Sequence, residues 1–135
     1  MRGLMADANC IGHVLLLVNL MQDVDRRGFW EFLELDVFTL ADFGLSVDAS
    51  DRVIWECCRT EDLLLITSNR NADDPDALQN VISESADPNA LPVITISDAF
   101  QLGRDREYAQ RAADKLLKYL FDIDDYRGTQ RQFIP

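Results

Sequence analysis

Four short apolar runs in this chain are each followed by residues able to bind a ligand or take part in a reaction. Asp7-Ala8-Asn9 follows residues 3–6, and Asp42, Asp48 and Asp51 follow residues 36–40. Ser68-Asn69-Arg70-Asn71, then Asp73, Asp74 and Asp76, follow residues 63–67, while Ser97 and Asp98 follow residues 92–96. Carboxylate and amide oxygens are hard donors, and several of them at one edge make a site suited to Mg²⁺ or Mn²⁺. Two such ions a few Å apart activate a water and stabilise the leaving oxygen of a phosphodiester.

The same residue types have a plainer use. Asp, Asn and Ser are preferred helix N-caps, and in an alternating strand–helix chain every strand end precedes a helix start. For Asp48, Asp51, Asp76 and Asp98 a cap is the plainer alternative to a ligand role, and Asp48, Ser50 and Asp51 are the cap candidates for the helix over 50–60. Asp7 stands apart, because it ends a buried strand, where a carboxylate is costly without a metal, a cation or several donors. His13 is the only histidine and has no positioned nucleophile near it in sequence, so it reads as structural or surface. No glycine-rich dinucleotide fingerprint and no P-loop occurs, which argues against dinucleotide or ATP binding of the standard kind. Trp30 and Trp55 fall at apolar helical positions and read as core.

The apolar runs that lead to these residues are strand candidates. Residues 63–67 and 92–96 are almost continuously apolar or β-branched, as in strands buried on both faces of a parallel sheet. Helical patterns alternate with them over residues 11–24, a short piece holding Phe29, Trp30, Phe32 and Leu33, and residues 50–60, 76–85 and 104–121. The last shows the strongest period, with Ala109, Ala112, Ala113, Leu116, Leu117, Leu120 and Phe121 on one stripe. This alternation predicts an α/β fold: a parallel sheet of four to five strands flanked by helices on both sides. Residues 1–125 read as the domain and 126–135 as a C-terminal tail, whose Phe133 and Ile134 are expected to dock on the body or on a partner.

Composition narrows the function classes. The 135 residues include 24 acidic and 13 basic ones, for a formal charge of −11. Such a field repels nucleic acid unless a local basic patch or divalent metal intervenes. Cys10, Cys57 and Cys58 form neither a zinc-ligand pattern nor a secreted disulfide framework and read as reduced packing residues of a cytosolic protein. The longest apolar run, residues 14–18, is too short to span a bilayer, and the acidic opening lacks the apolar segment of a signal peptide, so a cytoplasmic location without a membrane is expected.

Asp7-Ala8-Asn9 after the first strand resembles the opening Asp-x-Asn of the compact PIN-like domains often found as toxin components. Ala49-Ser50-Asp51-Arg52-Val53-Ile54, leading into a helix and the strand ending at Thr67, resembles that family's Asp-x-x-Ile helix and following strand. The resemblance covers about residues 3 to 75 and implies an α/β/α sandwich acting as a metal-dependent ribonuclease. Carried over, it makes Asp7 the first metal ligand and Asp51 the second. The third position departs: the family's Thr-x-Asp, often with another Asp two residues on, is here Thr67-Ser68-Asn69-Arg70-Asn71. An amide can ligate Mg²⁺ but carries no charge and cannot act as a base.

Two versions follow from the resemblance. In the active one, Asp7, Asp51 and an acidic residue among Asp73, Asp74 and Asp76 hold one or two Mg²⁺ or Mn²⁺ ions, with Asn69 beside them in the catalytic group. Asn9, Ser68 and Asn69 position water or RNA substrate, together with Asn71, and Arg70 clamps a phosphate or neutralises carboxylates. In the degenerate one, Asn69 and Arg70 satisfy the carboxylates internally, and the protein is an interaction module for a small partner, an antitoxin or a second copy of itself. An exposed apolar patch, expected near Phe133 and Ile134, would mark that version.

Overall fold

A computed structural model describes residues 1–68, 77–85 and 87–135. The chain opens with β1 (Gly3–Ala6), a 3₁₀ turn (Ala8–Cys10), α1 (Ile11–Met21) and α2 (Arg27–Leu33). It continues through β2 (Asp36–Thr39), a 3₁₀ turn (Leu40–Phe43), α3 (Asp51–Glu61), β3 (Leu63–Thr67) and α4 (Leu78–Ser85). The remainder is β4 (Val93–Ile96), the short α5 (Ala99–Leu102), α6 (Arg106–Phe121), a 3₁₀ turn (Ile123–Tyr126) and β5 (Arg131–Ile134). The fold is α/β, with a five-stranded sheet in the order β2-β1-β3-β4-β5 in which every pairing is parallel.

Local chemistry sets the boundaries. The Ser50 hydroxyl accepts from the Val53 amide at 3.2 Å and starts α3, so Ser50, not Asp48 or Asp51, is that helix's N-cap. Asp105 does the same for α6 through the Tyr108 amide, and Asp98 for α5 through that of Gln101. Gly3 permits the close pairing of β1 with β2, because a Cβ there would lie 2.4 Å from the Asp36 carbonyl oxygen.

The sheet separates two apolar layers. Leu4, Ala6, Leu64, Ile66, Ile94, Ile96 and Ile134 pack with α1, α2 and α6 on one side. Met5, Leu63, Leu65 and Val93 pack with Ile54, Trp55, Leu78, Val81 and Ile82 of α3 and α4 on the other. Alternation along each strand produces this division, since successive side chains leave a strand on opposite faces. Trp30 and Trp55 are buried as expected, and Cys10, Cys57 and Cys58 are unpaired thiols, two of them buried.

The segment expected as a tail is built into the sheet. Val93 pairs with Arg131 and Ile96 with Ile134, and Ile134 is wholly buried on the body. Gly128, at φ +79°, turns the chain into β5 where a Cβ would lie 2.9 Å from the Pro88 carbonyl oxygen. Phe133 keeps 44% of its surface exposed, but the larger apolar patch forms elsewhere, from Phe29, Phe32 and Phe121. No helix among the described residues is long and apolar enough to cross a membrane.

Candidate functional site

In a parallel sheet of order 2-1-3-4-5, the connections leave β1 and β3 in opposite directions, and a crevice opens beyond their carboxyl ends. Asp7 is the first residue after β1, and Thr67 is the last of β3. Continuing each strand's alternation puts Asp7 and Thr67 on the same side of the sheet as Met5 and Leu65, facing α3. The Asp7 amide still donates to the Ile66 carbonyl at 3.0 Å, so the ladder carries Asp7 to the very edge of the crevice.

Asp7 is only 7% exposed. Its Oδ2 accepts from the Thr67 hydroxyl at 2.9 Å, and its Oδ1 from the Ala8 amide at 2.7 Å. Burial pushes its pKa above the ordinary Asp value; the two hydrogen bonds pull it down, and the charge of Asp51 pushes it up again. Asp51 is therefore close enough to be felt at Asp7, although it lies in the first turn of a different helix. Its Oδ2 accepts from the Leu78 amide at 2.8 Å, and Leu78 is the first residue of α4. Asp51 thus serves a helix start, but that of α4 rather than of its own helix.

The flanking positions divide. Asn9 is exposed on the 3₁₀ turn after Asp7, and Ser68 is half-buried directly beyond Thr67. Asp42 accepts from the Thr39 amide and Asp98 from that of Gln101, so both sequence candidates act at local helix starts. Asn69, Arg70, Asn71, Asp73, Asp74 and Asp76 lie outside the described residues. Among the described residues, no group of three or more His, Cys, Asp or Glu side chains is arranged to hold a metal ion. His13 sits in α1.

Thr67 is the contact that sequence reasoning missed. Its signal is the two-residue strand period, which places it on Asp7's side of the neighbouring strand. The Cys10 thiol, which donates to the Ile66 carbonyl at 3.2 Å, backs the same corner; burial and the charge of Asp7 push its pKa up to about 12. This thiol stays protonated at neutral pH and is not a nucleophile.

A cavity of about 290 Å³ lies at the opposite edge, by the starts of β3 and β4, lined by Trp55, Leu63, Val93, Arg59, Asp87 and Arg127 among others. Its polar rim is paired within the chain: Arg59 meets Asp87 at 2.8 Å, and Arg127 meets Asp124 at 2.8 Å and the Asn89 carbonyl at 2.9 Å. The carboxyl edge, with a buried acid that feels the charge of a second one, is the better candidate on chemistry, although this cavity lies at the other edge. Comparison with family models, with curated proteins and with solved structures gives no match for this chain. The class defined by its own geometry is an α/β domain with an all-parallel five-stranded sheet.

Proposed function

We propose that this chain is a PIN-like domain whose carboxyl edge carries metal-dependent ribonuclease chemistry, of the kind found in toxin components that pair with a small partner protein. The observation that supports the reading is Asp7: a carboxylate 7% exposed, at the crevice between β1 and β3, whose pKa is raised chiefly by burial and to a smaller degree by the charge of Asp51. A buried carboxylate that feels the charge of a second one gives a cation two charged partners in this reading. Mg²⁺ commonly uses only one or two protein carboxylates and keeps several waters, so Asp7 and Asp51 fit as its charged donors. Bound there, Mg²⁺ or Mn²⁺ would supply Lewis-acid activation of water for attack on an RNA phosphodiester.

The chain's own residues have distinct roles in this reading. Thr67 fixes the rotation of the Asp7 carboxylate through Oδ2, and each oxygen retains a lone pair for a further partner. Asn9, exposed on the turn after β1, and Ser68, half-buried beyond β3, would in this reading hydrogen-bond a phosphate or water at the crevice. Asn69, Arg70, Asn71, Asp73, Asp74 and Asp76 follow directly in sequence and complete the proposed donor and substrate-contact set.

A second reading, an interaction module without catalysis, draws on the same bonds. Asp7 has two internal donors, and Asp51 is bonded to the start of α4, as expected of carboxylates that only tie the layers together. Calorimetric titration of the whole chain with Mn²⁺, beside Asp7→Asn and Asp51→Asn, separates the two. Binding by the parent and loss in both variants supports the nuclease-like site and leads to RNA-cleavage assays. Absence of binding by the parent overturns it in favour of the module.

A further inference from the structure

Of the 13 basic residues, five fall between positions 104 and 118: Arg104, Arg106, Arg111, Lys115 and Lys118. All five are exposed. Arg111, Lys115 and Lys118 share one face of α6, turned away from the Ala112, Ala113, Leu116 and Leu120 stripe that meets the core. Elsewhere Arg2, Arg26, Arg27, Arg52, Arg59 and Arg127 each form an ion pair with an acid of the chain. Among the described residues, the five on this stretch form none. The Tyr108 amide chiefly lowers the pKa of Asp105, and the charge of Arg111 adds a smaller push from beyond ion-pair reach. Of the three acids in the stretch, Asp105 caps α6 and Asp114 is held by Arg26, which leaves Glu107. Residues 104–118 thus carry a formal +2 in a chain of −11.

This basic strip begins at the carboxyl edge of the sheet. There β4 gives way to α5, whose Phe100 keeps 71% of its surface exposed and has the Arg104 guanidinium 4.9 Å from its ring centre. A Cβ on Gly103 would lie 3.8 Å from Nε2 of His13, in the first turn of α1, so this corner adjoins the turn that follows Asp7. From Arg106 to Lys118 the helix carries its charges back over about 18 Å. A row of solvated cations without counter-charges matches a row of phosphates, whose counterions it replaces. An exposed ring beside a guanidinium offers the stacking contact that single-stranded bases use. An acidic protein surface would match the charges but leave the ring at their head without a use.

We propose that Phe100, Arg104 and the exposed basic face of α6 form the path on which single-stranded RNA lies outside the crevice. The choice of RNA rests on the ribonuclease reading; the path itself rests on the charges and the ring. The test is fluorescence anisotropy of a labelled uridine oligomer with the full chain, with EDTA present so that no divalent ion contributes. Affinity should fall with salt along a log–log slope of about −3, as for about four phosphates neutralised on a single strand. The combined Arg111→Glu, Lys115→Glu and Lys118→Glu variant should bind at least about tenfold more weakly and flatten the slope by about 2. A combined Arg2→Glu, Arg27→Glu and Arg59→Glu variant changes the net charge equally on other surfaces and should keep the slope. Phe100→Ala should weaken binding about fivefold at unchanged slope, as for the loss of one stacked base. All these side chains are exposed, so circular dichroism should be unchanged throughout. A parent chain that does not bind the oligomer, or two combined variants that lose affinity equally, overturns the proposal. Mn²⁺-dependent RNA cleavage whose KM survives the α6 reversals overturns it while leaving the ribonuclease reading intact. RNA binding through α6 by a chain that binds no Mn²⁺ supports the path and overturns the ribonuclease reading alone.

Discussion

On the side of the sheet that meets α1, α2 and α6, the strands present Leu4, Ala6, Leu64, Ile66, Ile94, Ile96 and Ile134, all apolar and buried. On the side that meets α3 and α4 they present Met5, Leu63, Leu65 and Val93, followed toward the carboxyl ends by Asp7, Thr67 and Thr95. Arg131 joins this second side from β5, donating to the Thr95 hydroxyl and, at 2.9 Å, to Gln79 of α4. Among the described residues, the three buried polar or charged ones all sit on one side of the sheet. The strand side chains of one side hold the domain together chiefly by exclusion of water, whereas those of the other give up part of that burial to hold polar groups in fixed orientations. Each of those groups needs a partner, since an unsatisfied buried polar group costs about 1–3 kcal/mol. Their neighbours are accordingly hydroxyls, amides and a guanidinium rather than methyl groups.

This contrast can be broken most forcefully from the apolar side. Leu64→Ala removes a side chain with no exposed area from the centre of the sheet, and should cost about 2–5 kcal/mol in urea unfolding, with Mn²⁺ affinity in the surviving folded fraction little changed. A smaller and more specific loss is expected from Thr67→Val, which keeps the shape but removes the donor to Asp7. It should cost about 1–3 kcal/mol at neutral pH. The loss should shrink in the Asp7→Asn background, and a double-mutant cycle in which the two changes simply add would break the link between them.

Asp7→Asn sharpens the comparison by pH. An acid whose pKa is raised on folding binds its proton more tightly in the folded state. The folded state therefore loses stability as pH rises from the ordinary value, 3.8, through the raised one. Removing the charge should leave stability unchanged or higher at neutral pH and flatten its decline across that window; lower stability at pH 7 would show that the carboxylate's two hydrogen bonds, or a cation paired with it, outweigh the cost of burying its charge. The smallest effect concerns the thiols. Burial raises the pKa of all three thiols, but Cys57 is the least buried, so timed alkylation of the folded protein should label Cys57 first.

Much of the fold was legible because its signals are local. Leu63-Leu64-Leu65-Ile66-Thr67 is apolar on both sides of the strand, as a buried parallel strand must be, and it forms β3 at the expected bounds. The 3.6-residue stripe from Ala109 to Phe121 forms α6, with its cap at Asp105. The last strand was not legible. Arg131-Gln132-Phe133-Ile134 has no continuous apolar run, because an edge strand has one open side, and it becomes β5 only by pairing with β4.

By itself, then, the amino-acid sequence determined the alternation of strands and helices, the parallel sheet they build, and the place of Asp7 at the end of a buried strand, since each follows from periodicity and burial within a few residues. Only the tertiary structure decided what the carboxylates touch. Thr67 reaches Asp7 from 60 residues away and Leu78 reaches Asp51 from 27 away. The outward side of α2 likewise gained its partner ring only when α6 came to lie beside it. Hydrogen bonds and ring contacts between distant segments are set by how the layers stack, and no local pattern of residues encodes that distance.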